Sequence, residues 1–179
     1  MPVRKHIFPL IVVLAFSLFG LKALFHPGLF TAHDIWHQVA RLYHYQQAVS
    51  EGALPPYWIS TLAGGLGYPL FVFSYHLPWI LALPILRAGF DIPTTIKILF
   101  FLSYTLSGFA MYALSGRIFK NIWAGVLSAV LYLWAPYRFL TILVSAQMGV
   151  AFVYTFMPLL FLGILMAAEE QRGKLAIWA

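Results

Sequence analysis

The 179-residue sequence predicts an all-α fold, a polytopic bundle of membrane helices, on three observations. Apolar residues make up 62% of the chain, and charged residues only 9% against roughly 25% in an average soluble domain. Mean hydropathy is +0.85. Several apolar runs also approach the roughly 20 residues that carry a helix across the hydrocarbon layer.

The elements follow in order. Residues 7–25, preceded by Arg4-Lys5, form the first expected span. The run is longer than the ~7–15-residue core of a signal peptide, and no small-x-small cleavage site follows in His26-Pro27-Gly28-Leu29-Phe30, so a retained anchor is expected. Further spans are expected at 69–86, 96–115, about 122–140 and about 148–168. A truncated sixth opens at Leu175, which reads as the N-terminal fragment (1–179) of one longer membrane domain whose C-terminal transmembrane region is missing. Pro69, Pro78 and Pro84 leave open a second segment that dips into the bilayer and returns.

The net charge of +6 comes from basic residues at the ends of apolar runs, where they anchor helices against lipid phosphates. Membrane lipid, and no nucleic acid, is the expected partner. With no cysteine, disulfides and thiolate metal sites are excluded. Positive charge does not separate the two sides of the membrane. The first helix therefore sets the orientation, N-terminus inside, and residues 26–68 form an extracytoplasmic loop.

That loop is too long to lack a structural reason. From Asp34 to Ser50, Ile35, Val39, Leu42 and Val49 recur at helical spacing with Trp36 and Tyr43 beside them. Asp34, His37, Arg41, His44 and Glu51 project on the opposite side. The pattern predicts an amphipathic juxtamembrane helix lying on the bilayer, capped at Thr31 and ended by Gly52. Acids are scarce: Asp34, Glu51 and Asp91 are the only carboxylates in the first 168 residues.

Leu54-Pro55-Pro56-Tyr57-Trp58 and Gly64-Gly65-Leu66-Gly67-Tyr68-Pro69 follow, with glycines that allow close approach of backbone and aromatics suited to the headgroup layer. The segment reads either as a turn-rich re-entry into the membrane or as part of a binding site; no strand precedes the glycines, so they are not a nucleotide fingerprint. His33 and His37, four residues apart with Asp34 between, have metal-ligand spacing, but only His44 or Glu51 are near enough to complete a set. A labile Mg²⁺ or Mn²⁺ shared with a substrate phosphate is the better metal expectation. His76 is expected as a polar contact within the bundle, and Arg138 as a snorkelling or phosphate-binding side chain.

Taken together, His33-Asp34-Ile35-Trp36-His37, Arg41, Glu51-Gly52, Pro56-Tyr57-Trp58, Gly65-Leu66-Gly67-Tyr68-Pro69-Leu70-Phe71, Tyr75-His76-Leu77-Pro78, Met111-Tyr112 and Pro136-Tyr137-Arg138 resemble the bacterial membrane family labelled "6-pyruvoyl-tetrahydropterin synthase-related". The resemblance covers nearly the whole chain. The architecture is similar to the N-terminal part of C-type (GT-C) glycosyltransferases, multi-pass proteins of the bacterial cytoplasmic (inner) membrane that serve cell-envelope glycan or glycoprotein assembly. In these an acid in the first extracytoplasmic loop is catalytic or binds metal, and the donor is a polyprenyl-phosphate-linked sugar. The resemblance places Asp34 as the catalytic acid-base residue. It implies a substrate and phosphate site drawn from His33, His37, Arg41, His44, Tyr57, Trp58, Gly65, Gly67 and Tyr68. Ser145-Ala146-Gln147-Met148-Gly149-Val150 departs from the family pattern, which has an Arg-Gly pair and an acid there. The alternative is a non-enzymatic integral membrane subunit or transporter component, for which ionisable residues or broken helices at mid-membrane depth would be the sign.

Overall fold

Long apolar stretches without glycine or proline punctuation become long helices, and the punctuated stretches become loops. The computed structural model describes the backbone of residues 4–178 and the side chains of residues 4–170. Its helices are α1 (Arg4–Gly20), α2 (Ile35–Ser50), α3 (Leu77–Arg87), α4 (Ile92–Phe119), α5 (Ile122–Leu133), the single turn α6 (Pro136–Phe139) and α7 (Met148–Trp178). Among the described residues there is no strand, only one isolated antiparallel bridge between Ile59 and Tyr68. The fold is all-helical.

Helices α4 and, over Met148–Glu170, α7 are long and apolar enough to cross a membrane. Helix α5 and the segment Pro136–Val144, bent by 51° at their junction, make a third if counted as one broken span. The chain is thus a helical membrane protein with two or three such segments among the described residues. The stretch expected as a span at 69–86 is helical only over Leu77–Arg87. Its 11 residues reach about 16 Å at ~1.5 Å per residue, half of a ~30 Å hydrocarbon layer. Pro69 and a lone tight turn at Leu70–Val72 delay the helix, and Pro78 then sits in its first turn, where a missing N–H is harmless. The segment opening at Leu175 is no new helix: the backbone of α7 continues through it to Trp178.

The chain forms two compact units. A bundle unit comprises Met1–Phe25, Phe101–Phe139 and Val150–Ala179; a loop unit comprises His26–Phe100 and Leu140–Gly149.

In the bundle unit α1 packs along α5. Asn121 caps α5, its Oδ1 accepting from the N–H groups of Trp123 (2.8 Å) and Ala124 (3.2 Å), two of the donors a helix start leaves unpaired. At the other end of α5 the Tyr104 hydroxyl donates to the Leu133 carbonyl at 2.7 Å, satisfying an acceptor freed by the bend. Arg138 lies just past that bend and is 1% exposed. Its guanidinium carbon is 4.1 Å from the ring centroid of Tyr154, 5.1 Å from Tyr104 and 5.5 Å from Tyr132, and Nη2 donates to Ser107 Oγ at 2.7 Å. The side chain therefore neither snorkels nor reaches a lipid phosphate, because aromatic faces enclose its charge inside the unit.

The loop unit is built around α2. The stripe that α2 buries is Ile35, Gln38, Leu42, Tyr45 and Ala48, and it packs on protein, including α3, not on lipid. Val39 and Val49 are half-buried at its flanks, while Trp36 and Tyr43 point outward, 71% and 54% exposed. The helix ends where the sequence predicts but begins at Ile35, three residues later than a Thr31 cap implies, and its apolar side is core. Residue 34, not Thr31, precedes the first turn, and no side chain caps it. The backbone N–H groups of His33 and Asp34 instead donate to the carbonyls of Val144 and Ser145, at 2.9 and 3.1 Å. Gly52 ends the helix with φ of +95°, a conformation that costs glycine nothing.

Candidate functional site

Helical spacing places His37, Arg41 and His44 on one face of α2, one turn apart in succession. Opposite them runs the loop from Leu62 to Leu70. Between the two lies an open cleft of about 380 Å³ lined by His37, Ala40, Arg41, His44, Leu62, Ala63, Tyr68 and Leu70. That volume suits a headgroup-sized ligand. One wall offers a guanidinium and two imidazoles, and the other is apolar with a phenol at its edge.

The loop holds its shape through its backbone. Ile59 and Tyr68 exchange two hydrogen bonds (2.9 and 3.0 Å), and the Gly67 N–H donates to the Leu62 carbonyl at 2.9 Å. The turn between them needs positive φ at Ala63, Gly64, Gly65 and Gly67. The Trp58 indole lies so close over Gly67 that any Cβ there would collide with it. Gly65 and Gly67 are therefore turn-forming residues outside the cleft lining, and Trp58 covers the turn. Tyr57 packs edge-on to His76, ring centroids 5.4 Å apart. His76 in turn contacts Tyr45 and Phe71, so it is the internal polar contact the sequence implied, within the loop unit. Of the aromatic and glycine residues expected at the site, Tyr68 alone lines the cleft.

Asp34 sits one helical turn before His37 and does not line the cleft. Its side chain is 31% exposed, and its Oδ1 is 2.7 Å from Nδ1 of His33, which is itself largely exposed. Glu51 is at the far end of α2, where Gln47 Nε2 donates to it. Among the described residues no three His, Asp or Glu side chains converge as metal ligands. The donor set beside the cleft is a single carboxylate already bonded to an imidazole, and this does not fit a resident Mg²⁺ or Mn²⁺ centre.

Arg41 is held by a residue that the sequence reading passed over. Gln38 is 1% exposed and fully used: Nε2 donates to the Ala146 carbonyl (2.8 Å), while Oε1 accepts from the Tyr75 hydroxyl (3.1 Å) and from Arg41 Nη1 (3.4 Å). The Arg41 guanidinium also lies 5.9 Å from the Tyr75 ring centroid. Tyr75 stacks on Trp79 at 5.7 Å, and Gly149 leaves room for its ring, since a Cβ there would fall 2.6 Å from it. Burial pushes the Tyr75 phenol above its ordinary 10.0, despite the opposing pull of Arg41 and of its hydrogen bonds. The signal was present: Gln38 is a polar residue at an apolar-stripe position, between Ile35 and Leu42, and a buried amide needs partners. Ser145 and Ala146 meet the start of α2 and Gln38 through their main-chain carbonyls.

Chemically, the cleft can hold an anion of phosphate size beside an apolar surface, with charge-assisted hydrogen bonds from Arg41 and donors from His37 and His44. Comparison with protein-family models, with curated proteins and with solved structures finds no match.

Proposed function

We propose that the cleft on α2 binds the phosphate of a polyprenyl-linked sugar at the extracytoplasmic face of the bacterial inner membrane, in a GT-C-like glycosyltransferase of cell-envelope assembly. The observation that carries this reading is the convergence of His37, Arg41 and His44 on an open cleft whose other wall is apolar. A lipid phosphate presents this combination of anion and hydrocarbon. The multi-pass arrangement with α1 as a further crossing and residues 26–68 outside belongs to the same reading.

In a transfer reaction the leaving phosphate gains charge, which the Arg41 guanidinium and N–H donors from His37 or His44 would stabilise. Asp34, one turn before His37 and outside the cleft lining, would accept the proton of an acceptor hydroxyl brought to it. One observation favours the second reading, a membrane component that holds a lipid phosphate without chemistry: Asp34 stands outside the cleft lining with Oδ1 already engaged by His33.

Assaying the wild-type chain beside Asp34→Asn separates the two. The substitution keeps size and removes basicity, so it should abolish sugar transfer from a polyprenyl-linked donor while donor binding persists. Transfer at the wild-type rate in the variant rules out Asp34 as the base, and donor binding without transfer by the wild-type chain leaves the binding reading.

A further inference from the structure

Between Glu51 and Arg87 the chain has no Asp, Glu, Lys or Arg, although this stretch contains the longest loop of the molecule. A water-exposed loop of ordinary composition would carry several such residues, roughly a quarter of its length. Here the outward positions are Leu66 (84% exposed), Phe73 (79%) and Val72 (57%), with Tyr57, Trp58 and Tyr68 about half exposed. Leu66 is fixed at the tip of the turn, flanked by Gly65 and Gly67 at φ of +90° and +84°. Its exposure is built into the backbone. Leaving three large apolar side chains in water costs about 25 cal/mol per Å² of their surface.

The same segment cannot lie in hydrocarbon. Its backbone is irregular, with two single 3-10 turns and one isolated bridge in place of a continuous helix or a closed sheet, and such a backbone is not tolerated facing lipid tails. The layer that accepts apolar side chains, tyrosine and tryptophan tips and an irregular backbone together is the headgroup region. Charge agrees with this placement, because the neighbouring cleft presents the Arg41 cation, which the phosphates of a headgroup layer would attract.

We propose that residues 57–73 are an interfacial anchor that seats Leu66, Val72 and Phe73 in the headgroup layer, so that the cleft, walled by Tyr68 and Leu70 of the same loop, takes its phosphate laterally from a lipid. The lateral filling rests on the phosphate reading of the cleft; the anchor does not.

The chain has no cysteine, so single labels are clean. The full chain carrying Leu66→Cys or Phe73→Cys with an environment-sensitive fluorophore is reconstituted into phosphatidylcholine–phosphatidylglycerol vesicles, with Ser50→Cys as the water-exposed reference. Both tip labels should be quenched by lipids bearing nitroxide at the headgroup or upper acyl chain and be shielded from aqueous iodide. Iodide quenching at the tips equal to that at position 50 overturns the anchor. Shielding that grows with protein density in the vesicle assigns the patch to a second copy and also overturns it. For lateral filling, the Leu66→Ser/Phe73→Ser variant, which alters no buried contact, should lose about tenfold in affinity for a polyprenyl monophosphate and none for inorganic phosphate. No loss for the lipid, or equal loss for both, overturns it. A wild-type chain that binds neither phosphate sinks the phosphate reading itself, while the nitroxide measurement still decides the anchor.

Discussion

Arg41 of the loop unit and Arg138 of the bundle unit are both stacked near tyrosine, yet the structure puts them to opposite uses. Arg138 is enclosed by Tyr104, Tyr132 and Tyr154 and bonded to Ser107, and among the described residues its Nε and Nη1 find no acceptor. Arg41 has one tyrosine ring at 5.9 Å and one long hydrogen bond to Gln38, and it opens on a cleft. An arginine in an apolar chain is therefore not by itself a binding residue. A charge surrounded by aromatic faces stabilises its own fold, and a charge held from one side remains available to a ligand.

The largest effect should come from Arg138→Ala. It removes three ring contacts and leaves a void, costing about 2–4 kcal/mol of stability by thermal unfolding in detergent. Affinity for a polyprenyl monophosphate should not change in the fraction that remains folded. Arg41→Ala should show the reverse, with a loss of about 1.5–3 kcal/mol in phosphate binding, read by titration, and unfolding within ~0.5 kcal/mol of wild type. If Arg138→Ala lost binding and Arg41→Ala lost stability, the contrast would be inverted and the cleft would not be the anion site.

A test of what supports Arg41 is expected to be intermediate. Gln38→Leu leaves the buried Ala146 carbonyl and Tyr75 hydroxyl without their partner, costing about 1–3 kcal/mol of stability. Phosphate affinity should also fall, because Arg41 loses its hydrogen-bond partner. Unchanged affinity alongside reduced stability would show that Gln38 only packs α2 and does not orient the guanidinium.

The smallest effect concerns pH. The Tyr75 phenol is raised above 10.0 in the folded protein, so on alkaline titration the unfolded chain loses this proton first. The stability contribution is complete below the unfolded value and is lost as pH rises through the folded one. Tyr75→Phe should therefore flatten the decline in unfolding temperature above about pH 10. An equally steep decline in the variant would place the alkaline sensitivity elsewhere.

The helical character of α2 and its C-terminal end were legible because the recurrence of Ile35, Val39, Leu42 and Val49 and the glycine at 52 are local signals. So was the common face of His37, Arg41 and His44. What faces the buried stripe was not legible, since the pattern is the same whether a helix lies on lipid or on protein. The expected span at 69–86 failed for a related reason. Apolar content records an affinity for a non-aqueous setting, and the turn at Leu70–Val72 and the prolines decide whether the chain crosses it. Asp34 illustrates the limit most directly. The sequence puts it one turn from His37 on the polar side, but the structure leaves it outside the cleft lining with Oδ1 on His33.

Composition and periodicity alone thus determined that this chain is helical and membrane-bound, where its principal loop helix ends, and which cationic side chains share a face. These properties follow from nearest-neighbour backbone preferences and from the partition of side chains between water and lipid. Only the tertiary structure decided that Arg138 is enclosed, that the main chain of residues 144–146 anchors α2 through His33, Asp34 and Gln38, and that Tyr68 and Leu70 close the other wall of the cleft. Each of these contacts joins residues distant in sequence, and their energy depends on geometry that no local pattern encodes.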